Sequence, residues 1–154
     1  MPFSDPGEPI RFVKVVTGED VLAEESPTGE LTLRTMAMPA DTNANGDIFG
    51  GWVLSQMDLA GGIASGQRAA GRVVTIAVDK MKFIRPVHVG DVLCVYSSII
   101  RVGNTSMEIW IEAWALRHRF GHREKVTEAK FTMVAIDDDG RPRTVPREAP
   151  PRPD

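Results

Sequence analysis

Three things are scarce in this sequence, and each scarcity removes a class of protein. Cys94 is the only cysteine in 154 residues, so no intrachain disulfide can form and a disulfide-stapled secreted fold is excluded. No apolar run approaches the length of a membrane span, about 18 residues, and no charged-then-apolar leader opens the chain. The expectation is a cytoplasmic protein with no membrane partner. Net charge is also scarce, at −3, which argues against nucleic acid as a partner. Basic residues gather locally at Lys80, Lys82 and Arg85, at Arg117 to Arg123, and at Arg141 to Arg147. Each cluster is either a solvated face or a pocket for a phosphate-bearing ligand.

Several chemical signatures are missing too. There is no G-x-x-x-x-G-K-[ST] or G-x-G-x-x-G run, which removes the usual nucleotide-binding folds. Ser55 is not in a G-x-S-x-G elbow and has no histidine near it in sequence, which disfavours a serine hydrolase. His118 and His122 are four apart at a strand end and turn, where an exposed hairpin explains them better than a metal does. His88 reads as a solvated turn residue, Cys94 as a small core residue in an apolar strand, and Asn104-Thr105-Ser106 as a turn.

What is present describes one domain. A content of 42% hydrophobic and 25% charged residues is that of a globular chain long enough to bury its own core. Residues 1–29 read as an arm with a short strand at Arg11 to Val16, and the domain occupies 30–148. The proline-rich stretch from Pro146, with 149–154 outside the domain, is expected to be a mobile tail. Leu31 to Met38 alternates apolar and polar residues and predicts a first strand. From about Gly51 the period becomes helical, with Leu54, Met57, Leu59, Gly61 and Ile63 toward an apolar side and an end near Gly71. Val73 to Ile84, Asp91 to Arg101, Ser106 to Arg117 and Lys125 to Asp137 follow as four β-branched runs separated by turn signals. The expected architecture is α+β, one antiparallel sheet covered by one helix. That helix carries "DLAGGIASG", whose glycines cost helix propensity and imply close approach by the sheet.

The chemistry centres on Asp58. It either faces water from the helix edge or sits as a carboxylate among apolar neighbours. In the second case burial would raise its pKa and suit it to act as base or nucleophile. Gly51 and Asp58 are seven positions apart, on one helix face and separated by a rise of roughly 10 Å. At the helix start, first-turn amides lack intrahelical partners, and Gly50 and Gly51 leave them open to a carbonyl. Asn43 or Asn45 can donate a further hydrogen bond to the same oxygen. Asp47 either belongs to this constellation or caps the helix.

The stretches "MPADTNANGDIFGGWVLSQMD", "GRVVTIAVDKMKFIRPVHVGDVL" and "TEAKFTMVAIDDDGRPRTVPRE" closely resemble the hotdog-fold acyl-CoA thioesterases, in particular the short bacterial YciA-type branch. The resemblance covers Leu31 to Glu148 and includes the F-x-x-P-x-x-x-G-D turn from Phe83 to Asp91. It implies a hotdog fold, one long central helix wrapped by a curved antiparallel sheet. It also implies homo-oligomers, with a dimer as the minimal unit, trimers of dimers as the common assembly, and active sites at the dimer interface. By position, Asp58 matches the catalytic acid, Gly50 and Gly51 the glycines whose amides polarise the thioester carbonyl, and Asn43 the loop that adds a polar side chain. Asp47 stands where some relatives have asparagine.

No metal or separate cofactor is implied, because coenzyme A is part of the substrate and product. Its phosphates call for basic or polar contacts, and the candidates for holding coenzyme A are Asp47, Arg85, Arg141, Arg143 and the turn Asn104, Thr105 and Ser106. Small helix residues such as Ala60, Gly61 and Ala64 are expected to line an acyl tunnel. Two other readings stay open. A non-catalytic acyl-CoA-binding or sensing protein would keep the fold, although no DNA-binding segment is attached. A hydratase or dehydratase would need a histidine in the loop and helix region, and none lies between Asn43 and Asp58.

Overall fold

The computed structural model describes residues 26–117 and 122–152. Strand β1 (Glu30–Met36) leads through a 3-10 turn (Pro39–Asp41) into helix α1 (Gly50–Ala69). Strands β2 (Val73–Val78), β3 (Val92–Val102), β4 (Ser106–Arg117) and β5 (His122–Ala135) complete one antiparallel sheet in the order β1-β3-β4-β5-β2. The strand expected at Arg11 to Val16, His118 and the Phe120-Gly121 turn lie outside the described residues.

The period-2 pattern of β4 builds the core. Met107, Ile109, Ile111, Ala113 and Ala115 are buried toward the helix, while Glu108, Trp110, Glu112 and Trp114 alternate onto the far face. From the helix, Trp52, Val53, Met57, Ala60 and Ala69 close on them. The small residues act as the sequence predicts. A methyl at Gly61 would stand 3.0 Å from Ile111 Cδ1, so the glycine lets the helix lie close to the sheet. On the far face Cys94, Tyr96 and Trp114 form a second buried cluster, and Cys94 is a core residue as expected. Glu112 is buried beside them and accepts hydrogen bonds from Trp110 Nε1 at 3.0 Å, Trp114 Nε1 at 2.9 Å and the Thr28 hydroxyl.

Four expectations need correction. Leu59 and Ile63 do not face the core and are 57% and 43% exposed, because the helix turns its small residues inward. For the same reason Ala60 and Gly61 pack on the sheet rather than line a tunnel on the open side. The second strand ends at Val78, not Ile84. Strand β5 carries an extra residue, Val126, between the pairs Ala113↔Thr127 and Trp114↔Lys125. Its carbonyl accepts Ile84 N at 2.7 Å, so residues 79–91 run beside the sheet instead of joining the ladder. The tail differs as well. Arg68 donates to the carbonyls of Pro146 at 2.7 Å and Arg147 at 3.2 Å, and Val145 is buried, so its beginning is tied to the helix.

The Phe83 to Asp91 element is a built turn. Gly90 has φ +91°, a left-handed conformation that favours glycine, and its N–H meets Ala37 O at 2.8 Å. Asp91 is buried, accepts His88 N at 2.8 Å and pairs with Arg117, which also donates to Pro86 O at 2.7 Å and Glu124 at 3.2 Å.

Candidate active site

The loop from Asn43 to Phe49 folds on its own asparagine. Asn43 Oδ1 accepts the N–H groups of Asn45 at 3.0 Å and Asp47 at 3.1 Å, and the backbone closes through Asn43 N to Asp47 O at 2.8 Å. Gly46 supplies the positive φ of +81° that the turn requires, and buried Ile48 anchors the loop to the core. With Oδ1 committed, the amide nitrogen of Asn43 is left to donate outward, and the residue is exposed.

The helix then starts without a side-chain cap. Phe49 is the N-cap residue and contributes no side-chain hydrogen bond, so the capping role open to Asp47 is not taken up. Trp52 N bonds to Phe49 O at 3.1 Å, while the N–H groups of Gly50 and Gly51 meet no acceptor among the described residues. Two adjacent free amides at the positive end of a 20-residue helix are a ready pair of donors to a carbonyl oxygen.

Asp58 lies two turns along and is exposed, so one chain alone does not bury its carboxylate among apolar neighbours. Its Oδ1 accepts the Thr75 hydroxyl at 2.5 Å. Thr75 sits on β2, an edge strand, just before the bulge that throws out Ile76. Sequence reasoning missed Thr75. Its only signal was a hydroxyl inside the apolar run "VVTIAV", 17 residues after the acid.

Asn43, Asp47, Gly50 and Gly51 therefore come together at one end of the helix, with Asp58 about 10 Å along the same face. The expected coenzyme A contacts lie elsewhere in the chain. Arg85 is exposed and donates to Lys125 O at 2.9 Å. Asn104 and Thr105 give their carbonyls to Val145 N and Ala135 N, which places their turn beside the Arg143 to Arg147 segment. Arg141 is exposed, whereas Arg143 turns inward: its Nε donates to Ile136 O at 3.0 Å, and Nη2 is buried beside Gly71 without a hydrogen-bond partner among the described residues. A cavity of about 620 Å³ between Ile63, Gln67, Ser97 and Ala149–Arg152 includes none of these residues. Among the described residues, no group of His, Cys, Asp or Glu side chains is arranged to hold a metal, and no helix is long and apolar enough to cross a membrane.

Comparison with known proteins meets this geometry from outside. Residues 45–121 match the thioesterase superfamily model. The acyl-CoA thioester hydrolase YciA of Salmonella typhimurium is 55% identical over 126 residues, which is 80% of this chain and 95% of that protein. A hexameric thioesterase of Yersinia pestis superposes with a TM-score of 0.76 at 56% identity, covering 80% of this chain and 100% of the other. A hexameric hotdog fold thioesterase of Campylobacter jejuni superposes with a TM-score of 0.71 at 43% identity, covering 77% and 91%. The chain belongs to the thioesterase superfamily, as a hotdog-fold member of its YciA-type acyl-CoA thioester hydrolases.

Proposed function

We propose that the chain hydrolyses the thioester of acyl-CoA to a free carboxylic acid and coenzyme A at a site completed by a second copy. One observation carries this reading. The free amides of Gly50 and Gly51 and the Asp58 carboxylate share a helix face but stand roughly 10 Å apart, too far to act on one carbonyl within a single chain. Beside that face runs the unpaired edge of β2, where Val74, Ile76 and Val78 are 39%, 59% and 40% exposed. Two such edges pairing about a two-fold axis would bury these side chains and set the helix start of one copy against Asp58 of the other. The dimer is then the minimal active unit. The hexameric relatives support a trimer of dimers as the full assembly.

In that site the carbonyl oxygen accepts from the Gly50 and Gly51 amides and from the Asn43 side chain, with Asp47 in the same loop. These donors stabilise the charge that develops on the oxygen as the carbonyl carbon becomes tetrahedral. Thr75 holds one oxygen of Asp58, and the other acts as base toward water or as nucleophile. A C–O bond forms from water or from the Asp58 carboxylate as the C–S bond breaks, and coenzyme A leaves as the thiolate and takes up a proton; on the second route water then opens the mixed anhydride, so that either way the acyl group departs as the carboxylic acid. Arg85, Arg141, Arg143 and the Asn104, Thr105 and Ser106 turn are proposed to hold the phosphates of coenzyme A. No metal or separate cofactor is required, and the lone buried thiol of Cys94 fits a cytoplasmic setting.

The test is release of free thiol from acyl-CoA esters of graded chain length, by the wild-type chain and by Asp58→Asn, with folding and oligomeric state checked. Turnover by the wild type and its loss in the folded variant are expected. Binding of coenzyme A derivatives without turnover of any ester would replace this reading with that of a non-catalytic acyl-CoA-binding protein.

A further inference from the structure

The two glycines at the helix start are glycine for different reasons. A Cβ at Gly50 would lie 3.0 Å from Cζ and 3.1 Å from Cε2 of Phe83, closer than such a contact allows without a shift. A Cβ at Gly51 would meet only the Phe49 ring, at 3.4 Å, which is ordinary contact. Within the chain, then, the space beside Gly50 is already filled by Phe83, while beside Gly51 there is room for a methyl against the Phe49 ring.

Phe83 itself is firmly seated. The residue before it gives its carbonyl to Thr127 Oγ1 at 2.7 Å, and the residue after it donates its N–H to Val126 O at 2.7 Å. Both partners lie at the β5 bulge, where the extra residue Val126 frees a carbonyl from the ladder. The ring is half-buried against the core cluster. A continuous path of contacts therefore runs from the sheet, through the Val126 bulge and the Phe83 ring, to Gly50.

We infer that Phe83 is a positioning residue that sets where the Gly50 amide points, and that Gly50 is glycine to accept this ring rather than to admit substrate. The inference rests on the thioesterase reading. An amide that stabilises a developing oxyanion must be placed to within a fraction of an ångström, and a helix terminus without a side-chain cap has no side-chain bond to add to the Trp52 N to Phe49 O bond that holds its first peptide. The rigid sheet supplies that constraint through the aromatic ring. Gly51, with that room beside it, is the glycine that faces the substrate.

A double-mutant cycle tests this, using wild type, Phe83→Leu, Gly50→Ala and the pair, with kcat and KM measured for a short straight-chain acyl-CoA and Tm measured alongside. Gly50→Ala is expected to lower kcat about a hundredfold, because its methyl displaces the amide against the ring, and Phe83→Leu about tenfold, with KM little changed in both. The pair should recover to about the Phe83→Leu level, since the smaller side chain makes room for the methyl. Losses that multiply in a folded double variant would overturn the inference, because the methyl would then be colliding with substrate. So would a Phe83→Leu variant that loses Tm but keeps kcat. Absence of turnover in the wild type itself would remove the thioesterase reading, and this inference with it.

Discussion

The two halves of helix α1 (Gly50–Ala69) are finished in opposite ways. At its C-terminal end every device for closing a helix is in use. Ala70 takes the left-handed conformation at φ 52°, its N–H reaches Gln67 O at 3.3 Å, and Gly71 N reaches Gly66 O at 3.1 Å. Ser65 bonds back to Gly61 O at 2.6 Å, and Arg68 ties the tail to the helix. At the N-terminal end the N-cap residue is a phenylalanine with no side-chain capping bond, two amides meet no acceptor among the described residues, and Asp58 and Leu59 are exposed. A cap is worth about 1 kcal/mol and is easily supplied by serine, threonine or aspartate. Leaving it out where Asp47 is two residues away is a stability cost at the one place where free amides have a use. The closed end maintains the fold, and the open end carries the chemistry.

That contrast breaks most sharply at Asp58. Asp58→Asn should lower kcat about a hundredfold or more, as for loss of a general base. Because the carboxylate is exposed in the single chain and, among the described residues, bonds only Thr75, unfolding in urea should show stability within about 0.5 kcal/mol of wild type. A large loss of stability with intact kcat would place Asp58 among the structural residues and erase the distinction. A smaller effect is expected from Gly51→Ala. The added methyl fits within the chain, so Tm should hold, whereas kcat/KM should fall about tenfold as one carbon enters space left for substrate.

How much of this was legible follows from the kind of signal each part carries. Helix α1 and strands β3, β4 and β5 were readable because their periodicity is imposed by one buried face, as in Met107 to Ala115. The Asn43 turn and the uncapped helix start at Gly50 and Gly51 were readable because turn chemistry and free helix amides are local properties of "DTNANGDIFGG". What escaped were relations between distant segments. The end of β2 at Val78 depends on a bulge at Val126, and the carbonyl freed there captures Ile84 N. The partnership of Thr75 with Asp58 depends on how the helix lies across the edge strand. Leu59 and Ile63 were placed in the core because hydropathy does not distinguish a face that meets the sheet from one left open at the sheet's edge.

At the closed end, Arg68→Ala sharpens the comparison from the other side. It removes two charge-assisted bonds to the Pro146 and Arg147 carbonyls. Since Arg68 is only half-buried, we expect a loss of about 1 to 2 kcal/mol rather than more. That loss should appear as a lowered urea midpoint with unchanged kcat. A variant that kept its stability but lost activity would mean that the tail, not the helix start, governs the site.

The smallest effect is one that both halves should share, because it acts through the sheet beneath them. Burial pushes the Glu112 carboxyl up from its ordinary 4.5, but hydrogen bonds from Thr28, Trp114 and Trp110 outweigh it and leave the group lowered. A carboxyl whose folded pKa lies below its unfolded one stabilises the fold above the unfolded value, and that stabilisation disappears as pH falls through the folded value. Nothing should change near neutrality. Below about pH 4.5, the free energy of unfolding should begin to fall, at no more than about 1.4 kcal/mol per pH unit for this one proton, and Tm falls with it. In Glu112→Gln that part of the acid slope should be missing, although the variant starts from a lower Tm because an amide cannot accept all the bonds the carboxylate does. Thermal melts of both proteins from pH 7 to pH 3 decide the point. An identical acid slope in the two would show that Glu112 is not what the acid reaches, and would direct attention to Glu124, which the Arg117 hydrogen bond likewise lowers against the opposing effect of its burial.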